Sequence, residues 1–186
     1  MKDAGAILLG ITTMPNLGLS WAGDDSHCVP NDTVNNPHDS RRIAGGSSAG
    51  EGVLIAAAGS LMGLGNDIGG SVRVPAHMSG IFGLKPTNYP THTIPVEGIV
   101  PNYAGYPPAK DMLSNGPMVR YASDLHVILS VLANQPVDYF YKEVDFSKDV
   151  KLYYLEDVEI LISEKLHDPQ RKQVRKVTIL SQKYSK

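Results

Sequence analysis

Residues 45–52 read Gly-Gly-Ser-Ser-Ala-Gly-Glu-Gly, and residues 67–75 read Asp-Ile-Gly-Gly-Ser-Val-Arg-Val-Pro. Residues 45 to 84 hold eleven glycines and only three charged side chains, Glu51, Asp67 and Arg73. A stretch this rich in glycine and poor in charge, yet not of low complexity, implies backbone packed closely in a core. In the second motif two glycines stand directly before Ser71. They allow a tight fold in which successive N–H groups converge on one point, as an acyl-transfer enzyme needs beside its nucleophile to hold an oxyanion. The same residues would also serve as a plain glycine turn between a strand and a helix.

Working outward, Ser48-Ala49-Gly50-Glu51 has the spacing of a capping box. It predicts a short buried helix through Val53–Ala58, with Ser48 capping the first amides, Glu51 reaching back and Gly59 ending it. Leu61–Gly65 is expected to be a strand, Asn66–Ser71 a tight turn, and Ile81–Leu84 a strand stopped at Lys85-Pro86. Upstream, Gly5–Ile11 is a short apolar run ended by Met14-Pro15, the pattern of a buried core strand rather than of a signal peptide. Residues 16–44 read as a long polar loop, a length that is uncommon unless the loop is functional. Downstream, Leu125, Ile128, Leu129 and Leu132 follow helical spacing behind a Ser123 cap. Lys151–Leu155 reads as a strand, and Asp168-Pro169 opens a basic C-terminal helix. Strands alternating with helices predict an α/β class with a largely buried sheet.

The chain has 186 residues with a formal net charge of −2, and sixteen of its last 42 residues are charged. This balance gives no basic footprint for nucleic acid and no polybasic signal for an anionic membrane surface. No apolar run reaches the roughly 18 residues of a membrane helix. The single cysteine, Cys28, excludes a disulfide framework and a cysteine-based zinc site. The six histidines, His27, His38, His77, His92, His126 and His167, form no metal-binding pair and read as surface or structural residues.

Two motif matches fail on context. Gly46-Ser47-Ser48-Ala49-Gly50 has the spacing of a nucleophile elbow centred on Ser48, but the polar residues 36–42 ahead of it are not the strand that an elbow requires. Gly63-Leu64-Gly65-Asn66-Asp67-Ile68-Gly69 approaches a dinucleotide fingerprint, with its last glycine one residue late.

Taken together, Gly45-Gly46-Ser47-Ser48-x-Gly50-Glu51-Gly52, then Asp67-Ile68-Gly69-Gly70-Ser71-x-Arg73-x-Pro75, then Gly83-Leu84-Lys85-Pro86-Thr87 resemble the amidase signature family. With Gly5–Gly10 added, the resemblance covers about residues 4–133 and is loose beyond. It implies a mixed central β-sheet flanked by helices and an amide hydrolase or amide transferase working through a Ser–cis-Ser–Lys triad. Carried over by motif, Ser71 would be the acyl-forming nucleophile and Ser47 the bridging serine after a cis peptide bond. Ile68, Gly69 and Gly70, with Ser71 itself, would line the oxyanion hole, and Ser48, Asp67 and Arg73 would support them. Glu51, Ile68 and the run Gly116-Pro117-Met118-x-Arg120-Tyr121-Ala122 look like the fatty acid amide hydrolase branch, in particular its second type. The branch of the glutamyl-tRNA amidotransferases is the alternative.

The resemblance also implies no metal or organic cofactor, and a small-molecule amide substrate, lipid amides included. It implies no nucleic-acid partner, leaves a homodimer open, and confines membrane association to segments outside this sequence. Lys2 and Lys85 do not match the motif of the triad lysine, which belongs upstream of residue 1, and Ile11 stands where the family usually has lysine. The whole of residues 1–186 therefore reads as a partial amidase domain, with its motif core at 45–87 and both the lysine segment and the C-terminal half outside it. A truncated or degenerate relative without turnover is the competing reading.

Overall fold

A computed structural model describes residues 1–15, 18–22, 24–25, 32–88, 93–94, 111–141, 143 and 145. Met1–Tyr141 forms one unit and Lys142–Lys186 a second. The expected strand at 151–155 and helix from 168, like Cys28, His27, His92 and His167, lie outside the described residues.

The first unit is α/β. Its elements in chain order are β1 (Asp24–Asp25), β2 (Asp32–Thr33), α1 (Ala49–Ala56), β3 (Met62–Asp67), α2 (Arg73–Ser79), β4 (Phe82–Gly83), β5 (Ser114–Val119) and α3 (Leu125–Leu132). The short β1 and β2 pair antiparallel within the stretch expected to be loop. The main sheet has the order β3-β5-β4, and both of its pairings are antiparallel. Asp67 stands opposite Ser114, Gly65 opposite Gly116 and Gly63 opposite Met118, so these six side-chain positions share one face.

That face carries α1 and α2. A Cβ at Gly65 would overlap Ser48 Oγ, and one at Gly63 would overlap the Glu51 carboxylate. The helices therefore lie on the sheet at a distance that only glycine allows. Where α1 crosses α2, a methyl at Gly52 would stand 3.1 Å from Ser79 Oγ and 3.2 Å from Pro75 O. Ile55, Val72, Ala76 and Met118 close the core between the layers, with Ile81 packed against them.

The central strand β5, Ser-Asn-Gly-Pro-Met-Val, is fully buried although it contains proline, a residue normally confined to sheet edges. Pro117 O accepts Leu84 N–H at 3.1 Å, just past the end of β4. A strand residue's carbonyl and nitrogen point to the same side, so the missing N–H falls where the β4 ladder has ended and costs β3 nothing.

Four local expectations are corrected. Ser48 occupies the N-cap position of α1, but its side chain makes no cap hydrogen bond. Glu51 does not reach back to it, accepting instead from Thr12 Oγ1 at 2.6 Å. The helix also ends two residues earlier than the sequence implied, at Ala56. Gly59 N–H bonds Leu54 O at 2.8 Å and Ala58 N–H bonds Ile55 O at 3.1 Å, the paired bonds of a Schellman turn. This arrangement puts Ala58, rather than the glycine, at the left-handed position, with φ 65°. Arg120 Nη2 closes the same helix end, donating to Ile55 O at 2.6 Å and Ala56 O at 2.9 Å. At α3 the expected Ser123 cap is replaced by a 3-10 turn over Ala122–Asp124 that runs directly into the helix.

The fourth correction concerns Gly5–Ile11, which forms no strand. Ile7, Leu8, Leu9 and Ile11 are 85%, 70%, 70% and 95% exposed. The apolar pattern was that of a core strand, but strand formation needs a pairing partner, and among the described residues this segment has none.

Ala58 yields a stability prediction. Ala58→Gly should raise the unfolding free energy by about 1 kcal/mol by relieving the left-handed backbone, whereas Ala58→Val should lower it. Chemical denaturation measures both, and a glycine variant less stable than the parent would contradict the turn.

Candidate active site

Asp67, the last residue of β3, is fully buried. Its Oδ1 accepts from Gly70 N at 2.7 Å and Arg73 Nη2 at 3.0 Å. Its Oδ2 accepts from Val72 N at 3.1 Å, Arg73 N at 3.3 Å and Arg73 Nε at 2.9 Å. The chain from 68 to 72 is thus wound around one carboxylate. Gly70 takes φ 125° to make the turn, a value open to glycine. Burial by itself would push the Asp67 carboxyl up. The Arg73 guanidinium and the Gly70 and Val72 amides outweigh it and hold the group below the ordinary carboxylate range.

The Gly-Gly-Ser-Ser turn meets this loop through its backbone. Ser48 N–H donates to Ser71 O at 3.1 Å, which brings Ser47, Ser48 and Ser71 into one cluster. Ser47 is buried, while Ser48 and Ser71 are half-buried. The Gly46–Ser47 peptide bond is cis. Gly45, at φ 78°, abuts α2, and a methyl there would stand 3.1 Å from Pro75 Cα. Ser48 Oγ packs against Gly65 on the sheet. Since the turn is preceded by loop, the elbow geometry is absent at Ser48.

The residues assigned to the oxyanion hole are not equivalent. Gly70 N–H is already engaged by Asp67. Among the described residues the amides of Ile68, Gly69 and Ser71 have no such partner. Gly69 is exposed, and Ile68 is half-buried.

A second neighbour was not legible in the motifs. A methyl at Gly18 would stand 3.4 Å from Ser47 Oγ and 3.8 Å from Met14 Cε, and one at Gly70 would stand 4.0 Å from Trp21 Nε1. The segment carrying Met14, Leu19 and Trp21 therefore borders both serine turns, with those side chains 46%, 78% and 61% exposed. The polar composition around it gave no signal for this contact.

Of the described histidines, His38 Nε2 lies 2.8 Å from Ser79 O, and His126 packs on the Tyr141 ring with centroids 5.6 Å apart. Among the described residues no group of three or more His, Cys, Asp or Glu is placed to hold a metal ion. Nor is any helix there long and apolar enough to cross a membrane.

An α/β sheet whose strand delivers a carboxylate-wrapped glycine turn against a double serine defines a class of protein that presents backbone amides and hydroxyls at one point. Residues 1–160 match the family model described as Amidase, and the chain belongs to the amidase family. It is 42% identical over 154 residues to fatty-acid amide hydrolase 2-A of Danio rerio, covering 80% of this chain and 27% of that relative. It is 38% identical to the A-type subunit of the glutamyl-tRNA(Gln) amidotransferase of Archaeoglobus fulgidus, over 73% of this chain and 27% of that one. An amidase crystal structure superimposes with a TM-score of 0.62 at 34% identity, covering 72% of this chain and 28% of that chain. The chain thus spans about a quarter of the length of the curated relatives, 27% in both cases cited.

The Asp67 geometry predicts an acid dependence. Its carboxyl is lowered in the folded state, so its stabilisation is fully present above the unfolded value of about 4 and is lost as pH falls through the native value. Asp67→Asn should cost about 3 kcal/mol near neutral pH, because an amide N–H would then face the donors around it. It should also flatten the stability profile below pH about 4. Denaturation curves across that range would refute the arrangement if the variant kept the parent's acid slope.

Proposed function

We propose that the complete protein is a serine amide hydrolase acting on fatty acid amides or similar apolar amides, with Ser71 as nucleophile. The observation that carries this reading is the Ser48 N–Ser71 O hydrogen bond at 3.1 Å, which joins the double-serine turn to the Asp67-wrapped glycine turn. Ser71 Oγ attacks the amide carbonyl carbon while its proton passes through Ser47 Oγ to a base. The oxyanion that forms is held by the amides of Ile68, Gly69 and Ser71, since the Gly70 amide serves Asp67. Collapse expels the amine, which takes back the proton, and water hydrolyses the Ser71 ester. Neither Lys2 nor Lys85 matches the motif of the lysine that acts as base in the Ser–cis-Ser–Lys mechanism proposed.

The apolar substrate class is supported by the exposed Met14, Leu19 and Trp21 beside the serine turns and by the identity to fatty-acid amide hydrolase 2-A. The amidotransferase relative supports a second reading, in which the acyl-enzyme forms on glutamine and the released nitrogen is transferred.

A fluorophosphonate probe should label the complete protein, and Ser71→Ala should abolish the label; labelling that persists sinks the assignment. Ser47→Ala should lower kcat by about 100-fold or more by cutting the proton path. Ser48→Ala should act mainly on stability, since Ser48 Oγ packs on Gly65. Equal losses of kcat in the two variants, at matched folding, would contradict the division of roles.

A further inference from the structure

Among the described residues, the chain that borders the serine turns is fastened to the helix layer at Thr12 and Thr13. Gly50 N–H donates to Thr13 O at 3.1 Å, and Thr12 Oγ1 donates to Glu51 Oε2 at 2.6 Å. The approach is close enough that a methyl at Gly50 would stand 2.7 Å from Thr13 N. From this crossing the chain runs through Met14 and the buried Pro15 to Gly18, whose N–H bonds Pro15 O at 3.0 Å, and on to Leu19 and Trp21. The other oxygen of Glu51 is wedged over Gly63 of β3, where any Cβ would displace it. The carboxylate is thus fixed between the sheet and Thr12.

We infer that Glu51 and Thr12 are positioning residues for substrate selectivity: their hydrogen bond holds Met14, Leu19 and Trp21 at the height over Ser47 and Gly70 at which they receive an apolar acyl group. The inference rests on the serine-hydrolase reading above and adds to it the element that sets the preference for long chains. Neither residue touches the reacting atoms. Loss of the bond should therefore weaken binding of the apolar group and leave the chemical step alone.

The comparison is Thr12→Val against Thr12→Ser in the complete protein, assayed with a long-chain and a short-chain primary amide. Valine keeps the shape and removes the donor, whereas serine keeps the hydroxyl. Thr12→Val should raise KM for the long amide about tenfold, the equivalent of one lost hydrogen bond of about 1.4 kcal/mol, with kcat and the short-amide KM unchanged. Thr12→Ser should behave as the parent. Gly63→Ala should reproduce the Thr12→Val effect, because its methyl pushes the flexible Glu51 side chain aside while leaving Thr12 intact. If Ser71→Ala abolishes turnover but Thr12→Val leaves the long-to-short KM ratio unchanged, or lowers kcat on both amides alike, the positioning role is wrong and the serine reading stands. If turnover survives Ser71→Ala, the serine reading fails and this inference fails with it.

Discussion

The carboxylate of Asp67 is the constraint on which the remainder of the site depends. A bare carboxylate buried in protein is costly, and it persists there only when its oxygens are saturated by donors. Asp67 gathers five, three of them backbone amides of the residues that immediately follow it. Satisfying the charge therefore dictates the path of residues 68–73. The turn before α2 is tight because three amides must converge on two oxygens, and Gly70 is required because this convergence needs a positive φ. Arg73 finishes the neutralisation from the solvent side, half exposed, where its own desolvation cost is small.

A consequence follows for the amides of the same turn. Three of them are taken by Asp67, and the others are not. The amides of Gly70, Val72 and Arg73 donate inward, whereas the N–H groups of Ile68, Gly69 and Ser71 have no hydrogen-bond partner among the described residues. In the proposed reaction, one anion that is part of the protein would thus pre-arrange donors for a second anion that is transient. Such donors need no reorganisation when charge develops, which is why preorganised amides stabilise oxyanions so effectively.

The two serine-bearing motifs and their glycine spacing were readable in the sequence, because both are local patterns with a specific separation. The α/β alternation, β3 and the amphipathic spacing of α3 were legible for the same reason. What failed was non-local. Glu51 looked like half of a capping box, yet its partner is Thr12, 39 residues away. Gly59 looked like a helix stop, but Arg120 and the Schellman bonds moved the left-handed residue to Ala58. Gly5–Ile11 had a strand pattern without a strand partner among the described residues. β5 had the opposite problem, holding a central position with a sequence of weak strand formers. Pro117 is tolerated there only because β4 is two residues long, and a one-strand reading cannot reveal the length of a neighbour.

The way the helices lie on the sheet limits how such a site can be tuned. Ser48 rests on Gly65, Glu51 on Gly63 and Pro75 against Gly45, so the serine turns touch backbone more than side chains. Enlarging Gly45 or Gly65 would shift a whole turn rather than adjust one contact, because packed layers have no slack to absorb a methyl group, whereas a methyl at Gly63 meets only the movable Glu51 side chain. The chemical groups at the turns are backbone amides and serine hydroxyls. Under the proposed function, variation in substrate would then enter through elements that border the turns without forming them. The Met14–Trp21 segment is such an element. It carries large exposed side chains, and among the described residues it is joined to the helix layer through the Gly50 N–Thr13 O and Thr12 Oγ1–Glu51 Oε2 hydrogen bonds. It can therefore change its side chains, or its height over the serines, at little cost to the Asp67 turn beneath it.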